Sequence, residues 1–269
     1  MPASPFSLEN KIAIVTGGGV GIGRSVAVEF ARAGADVVVA SRKLENLEPV
    51  TAEIKTLGRR SFAMAVDVRQ EDAVKELVER TVRDLGRLDI MVNNAGASFR
   101  ANPEDITANG WNTVVQINLN GVFFGCKWAG RQMMAQGGGV IINVSSIAGT
   151  NGSAMMPHYG AAKAAVVNYT RSLGMAWGRK NVRVNCIAPG PIESLGLRNY
   201  PEELVRRIHL GNPMKAMGDV WDVAQACVYL EAPTGKFITG EVLTIDGGMQ
   251  QWGGSWPLGV PDYFNVAGA

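Results

Sequence analysis

The chain alternates short, nearly continuous apolar runs with longer stretches in which apolar positions recur at helical spacing. The short runs are Lys11 to Thr16, Asp36 to Ala40, Arg60 to Val66, Leu88 to Val92, Val140 to Val144, Asn181 to Ile187 and Glu241 to Ile245. They are rich in β-branched residues and bounded by Gly, Asn, Asp or Pro, so they predict seven strands; Lys11 to Thr16 has the composition of a strand covered on both faces. Between them, helices are predicted over Arg24 to Ala33, Leu44 to Leu57, Glu71 to Leu85, most of 103–136, Tyr159 to about Trp177 and Val220 to Leu230. Gly34 and Gly58 supply stops after the first two. The 103–136 segment has an apolar face through Trp111, Val115, Leu119, Val122, Phe123 and Trp128. Asn118 interrupts it, and a polar amide there either holds a bound water or satisfies nearby backbone.

This alternation predicts an α/β fold with a sheet flanked by helices, and the candidate chemistry gathers where strands end. Residues 17–23, GGGVGIG, lie between the first strand and first helix and include Gly17, Gly19, Gly21, Ile22 and Gly23. Strand, glycine loop and helix form a context in which backbone N–H groups at a helix start can face a pyrophosphate. At the end of the second strand, where an acidic residue would receive ribose hydroxyls, stand Ser41, Arg42 and Lys43. A hydroxyl and two cations suit a 2′-phosphate, which favours NADP(H) over NAD(H). The third strand ends in Asp67-Val68, where Asp67 either reaches the adenine or caps the next helix. The fourth ends in Asn93-Asn94-Ala95-Gly96, small and amide residues suited to a ligand in the crevice or to a plain turn.

The fifth run delivers Ser145-Ser146. Thirteen residues after Ser146 comes Tyr159, with Lys163 four further on. Four-residue spacing puts the phenol and the ammonium on one helix face. A fixed positive charge beside a phenol stabilises the phenolate and makes tyrosine usable as an acid or base, and Ser146 is placed to bind the same substrate oxygen. The sixth run ends in Ala188-Pro189-Gly190-Pro191, two prolines predicting a rigid turn.

Composition narrows the classes. The chain has 269 residues, 46% apolar content and 33 glycines, which suits one α/β domain spanning 1–269. A formal charge of +2 with 19% charged residues provides no basic stripe, so nucleic acid is not an expected partner. Cys126, Cys186 and Cys227 lie in apolar surroundings and read as reduced, packed thiols. Two histidines, His158 and His209, without ligand spacing give no metal site. No signal peptide is visible and no apolar run approaches about 18 residues, which predicts a soluble, cytoplasmic protein with no membrane partner. Residues 192–218 contain helix breakers and a short amphipathic helix near Pro201 to Leu210, the pattern of a substrate-loop insertion. The tail, 249–269, carries Trp252, Trp256, Tyr263 and Phe264 and either packs on a partner subunit or frays.

In this order the motifs resemble the short-chain dehydrogenase/reductase family across about residues 10–250. Thr16 to Gly23 is similar to its T-G-x-x-x-G-x-G cofactor loop, Asn93 to Gly96 to its N-N-A-G strand end, and Asn118, Ser146, Tyr159 and Lys163 to its catalytic tetrad. The resemblance implies a doubly wound, Rossmann-type, seven-stranded parallel sheet in the order 3-2-1-4-5-6-7, assembled as a homotetramer or homodimer. It implies that Tyr159 passes a proton to or from the substrate oxygen, Ser146 orients that oxygen, Lys163 lowers the tyrosine pKa and binds the nicotinamide ribose, and Asn118 holds a relay water. It also places Asp67, Val68, Asn94, Ala95 and Gly96 along the cofactor, with Pro189, Gly190, Ile192 and Ser194 beside the nicotinamide. Ser194 stands where threonine is frequent, and Val20 where some NADP-dependent members carry a basic residue.

The reaction expected from the tetrad is NADP(H)-dependent interconversion of a secondary alcohol and a ketone, with a small carbonyl or alcohol as substrate. Ala40-Ser41-Arg42, Pro157-His158 and residues 188–192 also look like the dienoyl-CoA reductase branch, which lacks tyrosine at the position of Tyr159; enoyl- or dienoyl-CoA reduction is therefore the alternative. His158 reads as a wall or structural residue, because its neighbour fills the acid/base role. A non-catalytic sensor of NADP(H) is the competing class, against which an intact tetrad argues. Met155, Met156, Leu195 and Leu197 suggest an apolar, adaptable pocket.

Overall fold

The computed structural model describes residues 4–193, 202, 205, 206 and 211–252. Its strands are β1 (Ile12–Thr16), β2 (Asp36–Ser41), β3 (Ser61–Ala65), β4 (Ile90–Asn93), β5 (Gly139–Val144), β6 (Val182–Pro189) and β7 (Val242–Ile245). They form one parallel sheet in the order β3-β2-β1-β4-β5-β6-β7, as expected. The helices are α1 (Gly21–Arg32), α2 (Glu48–Thr56), α3 (Glu71–Leu85), α4 (Ala108–Val115), α5 (Gly121–Ala135), α6 (Pro157–Trp177), α7 (Val220–Glu231) and the short α8 (Met249–Trp252).

Strand periodicity shows how the two layers are filled. Ala13 and Val15 of β1 join a cluster with Val26 and Phe30 of α1 and Val223 and Cys227 of α7. Ile14, between them, joins the opposite cluster with Leu77 of α3, Met133 of α5 and Val166 of α6. Side chains on a strand alternate between faces, so a run apolar at every position can only be buried between two helical layers. The three cysteines are buried free thiols. Among the described residues no helix is long and apolar enough to cross a membrane.

Several boundaries differ from expectation. The helix expected from Leu44 is a 3-10 turn at Leu44–Asn46 followed by α2, because Pro49 lacks an N–H and fits only a first turn. α1 begins at Gly21 rather than Arg24, so the end of the glycine loop is already helix. The 103–136 segment is α4, a five-residue π-helical turn at Gln116–Asn120 and α5. Trp111 and Phe123 stand 41% and 42% exposed rather than sharing the buried face, since residues twelve apart already diverge by about 120° on a regular helix and a π turn lies between them. Pro189 is not in a turn: it is the last residue of β6, in register with Ile245, an end position where its missing N–H is tolerated. The base of the 192–218 insertion is pinned, Ile192 bridging Gly218 and the N–H of Glu193 donating to the Gly218 carbonyl at 2.8 Å.

Candidate active site

Strand order reverses between β1 and β4, and this is where a doubly wound sheet opens a crevice at its C-terminal edge. Thr16, the last residue of β1, joins the two strands. Its hydroxyl donates to the Val92 carbonyl at 3.2 Å and accepts from the N–H of Asn94 at 3.0 Å and of Ala95 at 3.2 Å. The Asn94 amide donates to the Thr16 carbonyl at 2.9 Å. Asn94 and Ala95 thus have a structural role, joining the ends of β1 and β4. At the start of α1, a Cβ on Gly23 would fall 2.2 Å from the Gly17 carbonyl oxygen, so only glycine lets the loop lie on the helix. The helix begins after Val20, which has no capping group, and no acid occupies its first turn. Its first N–H groups are therefore suited to an anion, and the glycine loop fits a diphosphate.

Beside this loop lies a cavity of about 150 Å³ lined by Gly17, Ser41, Arg42, Asp67, Val68, Arg69 and Gly96, among others. Ser41 and Arg42 are where the sequence placed them. Lys43 is not in the lining; it is 70% exposed and pairs with Glu45. Asp67 is not a helix cap, since Gln70 occupies the N-cap of α3. Its carboxylate instead accepts from the Arg69 N–H at 3.0 Å and from the Arg69 guanidinium, with Nε at 2.9 Å from each oxygen. Hydrogen bonds from Arg69 hold Asp67 below the usual carboxylate range against the opposing effect of burial.

The second cluster forms where β5 meets α6. Ser146 follows β5; its hydroxyl accepts from the Ala148 N–H at 3.2 Å and lies beside the Tyr159 hydroxyl, on which it acts. α6 begins at Pro157, two residues before Tyr159, with proline's fixed φ starting the helix. Lys163 is buried; its Nζ donates to the Val144 carbonyl at 2.7 Å and lies 5.5 Å from the Tyr159 ring centroid. Burial brings the lysine down to about 8. Burial also raises the Tyr159 pKa, with the neighbouring Ser146 hydroxyl opposing it. Lys163 Nζ meets the Val144 carbonyl and the tyrosine ring, and burial is the larger influence on the phenol.

Asn118 sits within the π turn. Its amide donates to the carbonyls of Ala97 at 2.7 Å and Val114 at 2.9 Å, so it does satisfy nearby backbone. Its Oδ1 is buried and without a hydrogen-bond partner. A Cβ on Gly96 would lie 2.9 Å from that oxygen and 3.6 Å from Lys163 Nζ. Gly96, Asn118 and Lys163 thus surround one point, with an acceptor and a donor aimed at it. Such an orphan acceptor is the arrangement a bound water fits. Together, a hydroxyl donor, a second hydroxyl and an ammonium can bind and protonate an oxygen.

A buried polar ladder runs beneath this cluster. The Asn93 amide donates to Asn143 Oδ1 at 2.9 Å, and the Asn143 amide to the Thr170 hydroxyl at 3.0 Å. The Ser145 hydroxyl donates to the Lys163 carbonyl at 2.8 Å. These bonds tie β4, β5 and α6 in register. His158 is fully buried, packs against Phe99 at 4.4 Å between centroids with the rings tilted by 45°, and has neither ring nitrogen hydrogen-bonded. Burial holds it below its usual pKa, as suits a neutral wall residue. At the far end, Gly190 donates to the Ile245 carbonyl at 2.8 Å and Ile192 is buried in the core that includes Val144 and Ile187. Ser194, Leu195, Leu197 and the residues of the tail beyond Trp252 lie outside the described residues. Arg69, Asn143 and Thr170 escaped the sequence reading. Arg69 carried a signal, a cation two residues after a strand-end aspartate; the ladder carried none, because its members are far apart in the chain.

Residues 18–250 match the family described as enoyl-(acyl carrier protein) reductase. The peroxisomal 2,4-dienoyl-CoA reductase of Arabidopsis thaliana is 35% identical over 259 residues, covering 92% of this chain and 87% of that protein. A short-chain type dehydrogenase/reductase from Mycobacterium marinum superposes with a TM-score of 0.85 at 33% identity, covering 91% of this chain and 97% of the other. A 7α-hydroxysteroid dehydrogenase, solved with NADH and 7-oxo glycochenodeoxycholic acid, superposes with a TM-score of 0.88 at 33% identity, covering 91% and 96%.

Proposed function

Because this chain belongs to the short-chain dehydrogenase/reductase family of oxidoreductases, we propose that it interconverts a secondary alcohol and a ketone using NADP(H). The observation that carries this reading is Tyr159 with Ser146 beside its hydroxyl and Lys163 Nζ 5.5 Å from its ring centroid. The nicotinamide cofactor supplies or accepts the hydride when bound. Tyr159 gives its hydroxyl proton to the forming alkoxide, or takes it in oxidation, and Ser146 holds that oxygen in line. Asn118 Oδ1 fixes a water beside Lys163, which passes protons towards the tyrosine. Lys163 also holds the nicotinamide ribose.

The same proposal assigns the diphosphate to Gly17, Gly19, Gly21, Ile22 and Gly23, and the adenosine end to Ser41, Arg42, Asp67 and Val68. To the rest of the cofactor it assigns Asn94, Ala95, Gly96, Pro189, Gly190, Ile192 and Ser194. Arg42 on the cavity wall supports NADP(H); Lys43, paired outward, adds nothing to that support. The exposed Phe123 of α5 and Met175 of α6 support assembly as a homotetramer or homodimer, checked by mass in solution. Residues 192–218, pinned at their base, serve as the substrate loop.

The test is a ketone panel with NADPH, followed by loss of nicotinamide absorbance, against Tyr159→Phe. Full turnover by the variant would overturn the mechanism, and a wild-type preference for NADH would overturn the cofactor assignment. A second reading, reduction of an enoyl- or dienoyl-CoA double bond, is supported equally by the relatives, since the Arabidopsis thaliana protein is named for it. Loss of a conjugated chromophore on offering dienoyl-CoA, with no turnover of ketones, would favour it. Cofactor binding with no activity on either panel would revive the sensor.

A further inference from the structure

Two of the three charges on the cavity beside Ser41 belong to arginines, and only one of these arginines follows from the sequence reading. Arg42 ends β2. Arg69 comes from the turn between β3 and α3, and its guanidinium grips the Asp67 carboxylate through Nε and Nη2. Both partners line the same cavity and both are partly open to it, Arg69 at 33% and Asp67 at 26% side-chain exposure. Arg69 also donates its backbone N–H to Asp67, so the turn holds the pair in place. Arg42 acts on Asp67 through charge alone. Lys43, the other cation expected there, points away to Glu45.

We propose that Arg69 determines acceptance of the cofactor's 2′-phosphate by neutralising Asp67. This rests on the NADP(H) reading and deepens it. A phosphate dianion entering beside Arg42 meets Asp67 on the same wall. Were that carboxylate unpaired, its charge would cancel Arg42 and the wall would be neutral. With Arg69 bound to it, the wall carries one net positive charge from Arg42, Arg69 and Asp67 together. A planar guanidinium engaging both carboxylate oxygens is suited to this, because its geometry is fixed and its charge does not titrate. A like charge facing a phosphate across a partly solvated wall is worth about five- to tenfold in affinity. Arg69 is therefore a specificity residue for the adenosine end, acting on the phosphate through Asp67.

The experiment measures, by calorimetry, binding of adenosine 2′,5′-bisphosphate and of adenosine 5′-monophosphate to the whole protein. Wild type, Arg69→Gln, Asp67→Asn and the double variant are compared, so no turnover is needed. The preference for the 2′-phosphorylated ligand is expected to fall about five- to tenfold in Arg69→Gln, where Asp67 is left unpaired. It is expected to return to the wild-type value in the double variant, where charge and partner are removed together and Arg42 alone remains. A preference unmoved by Arg69→Gln overturns the role of Arg69 while leaving the cofactor reading intact. A loss that the double variant does not restore also overturns it, assigning Arg69 to holding the turn. Equal affinity of wild type for both ligands overturns the NADP(H) reading itself, and the inference with it.

Discussion

Lys163 Nζ donates to the carbonyl oxygen of Val144 at 2.7 Å, which fixes the ammonium at the end of β5 and brings it against the ring face of Tyr159. Residues 19 apart in the chain thus meet inside the protein. Keeping an amine there is costly, and its pKa of about 8 records that cost. The folded state holds the proton less tightly than the unfolded state, so the site destabilises the fold fully below about pH 8 and less as pH rises beyond it. Lys163→Met is expected to raise stability by about 1 kcal/mol at pH 7, after the loss of one hydrogen bond, while abolishing turnover. Thermal melts beside activity assays check it.

Tyr159→Phe removes the proton carrier and keeps the ring. Turnover is expected to fall about 10²- to 10⁴-fold with cofactor affinity unchanged, read from single-turnover kinetics and cofactor titration.

Asn118 donates twice to backbone carbonyls and presents a free acceptor. Asn118→Asp keeps the acceptor but turns a carboxylate oxygen towards the carbonyls of Ala97 and Val114. It is expected to destabilise by about 1–3 kcal/mol, and by more than Asn118→Ala, in denaturant titrations.

Thr16→Val keeps the shape of the β1 end and deletes the hydroxyl that Asn94 and Ala95 share. Two backbone N–H groups lose their acceptor, so stability should fall by about 1–3 kcal/mol and adenosine nucleotides should bind more weakly. Calorimetry measures both effects.

Glu231, at the end of α7, is buried with neither carboxylate oxygen hydrogen-bonded, and burial raises it to about 8. A carboxyl raised in the folded state holds its proton there more tightly than when unfolded. Its contribution to stability is complete below about pH 4.5 and is lost as pH rises through about 8. Glu231→Gln is expected to stabilise the protein by about 1–3 kcal/mol at pH 8 relative to pH 5, judged from the difference between the two proteins at each pH.

The sequence by itself determined the seven strands, their alternation with helices and, through the family resemblance, their order in the sheet. It did so because strand and helix periodicities are local, and a run such as IAIV can be buried only between two layers. It also determined that Tyr159 and Lys163 share a helix face, since four residues make about one turn. Tertiary structure alone decided what those groups experience. Lys163 loses its water to the Val144 carbonyl, Asn118 gains an orphan acceptor from a π turn that no periodicity announces, and Arg69, not Lys43, lines the cavity beside Arg42. These outcomes depend on burial and on charges delivered by other strands and turns. A pattern read along one segment does not contain them.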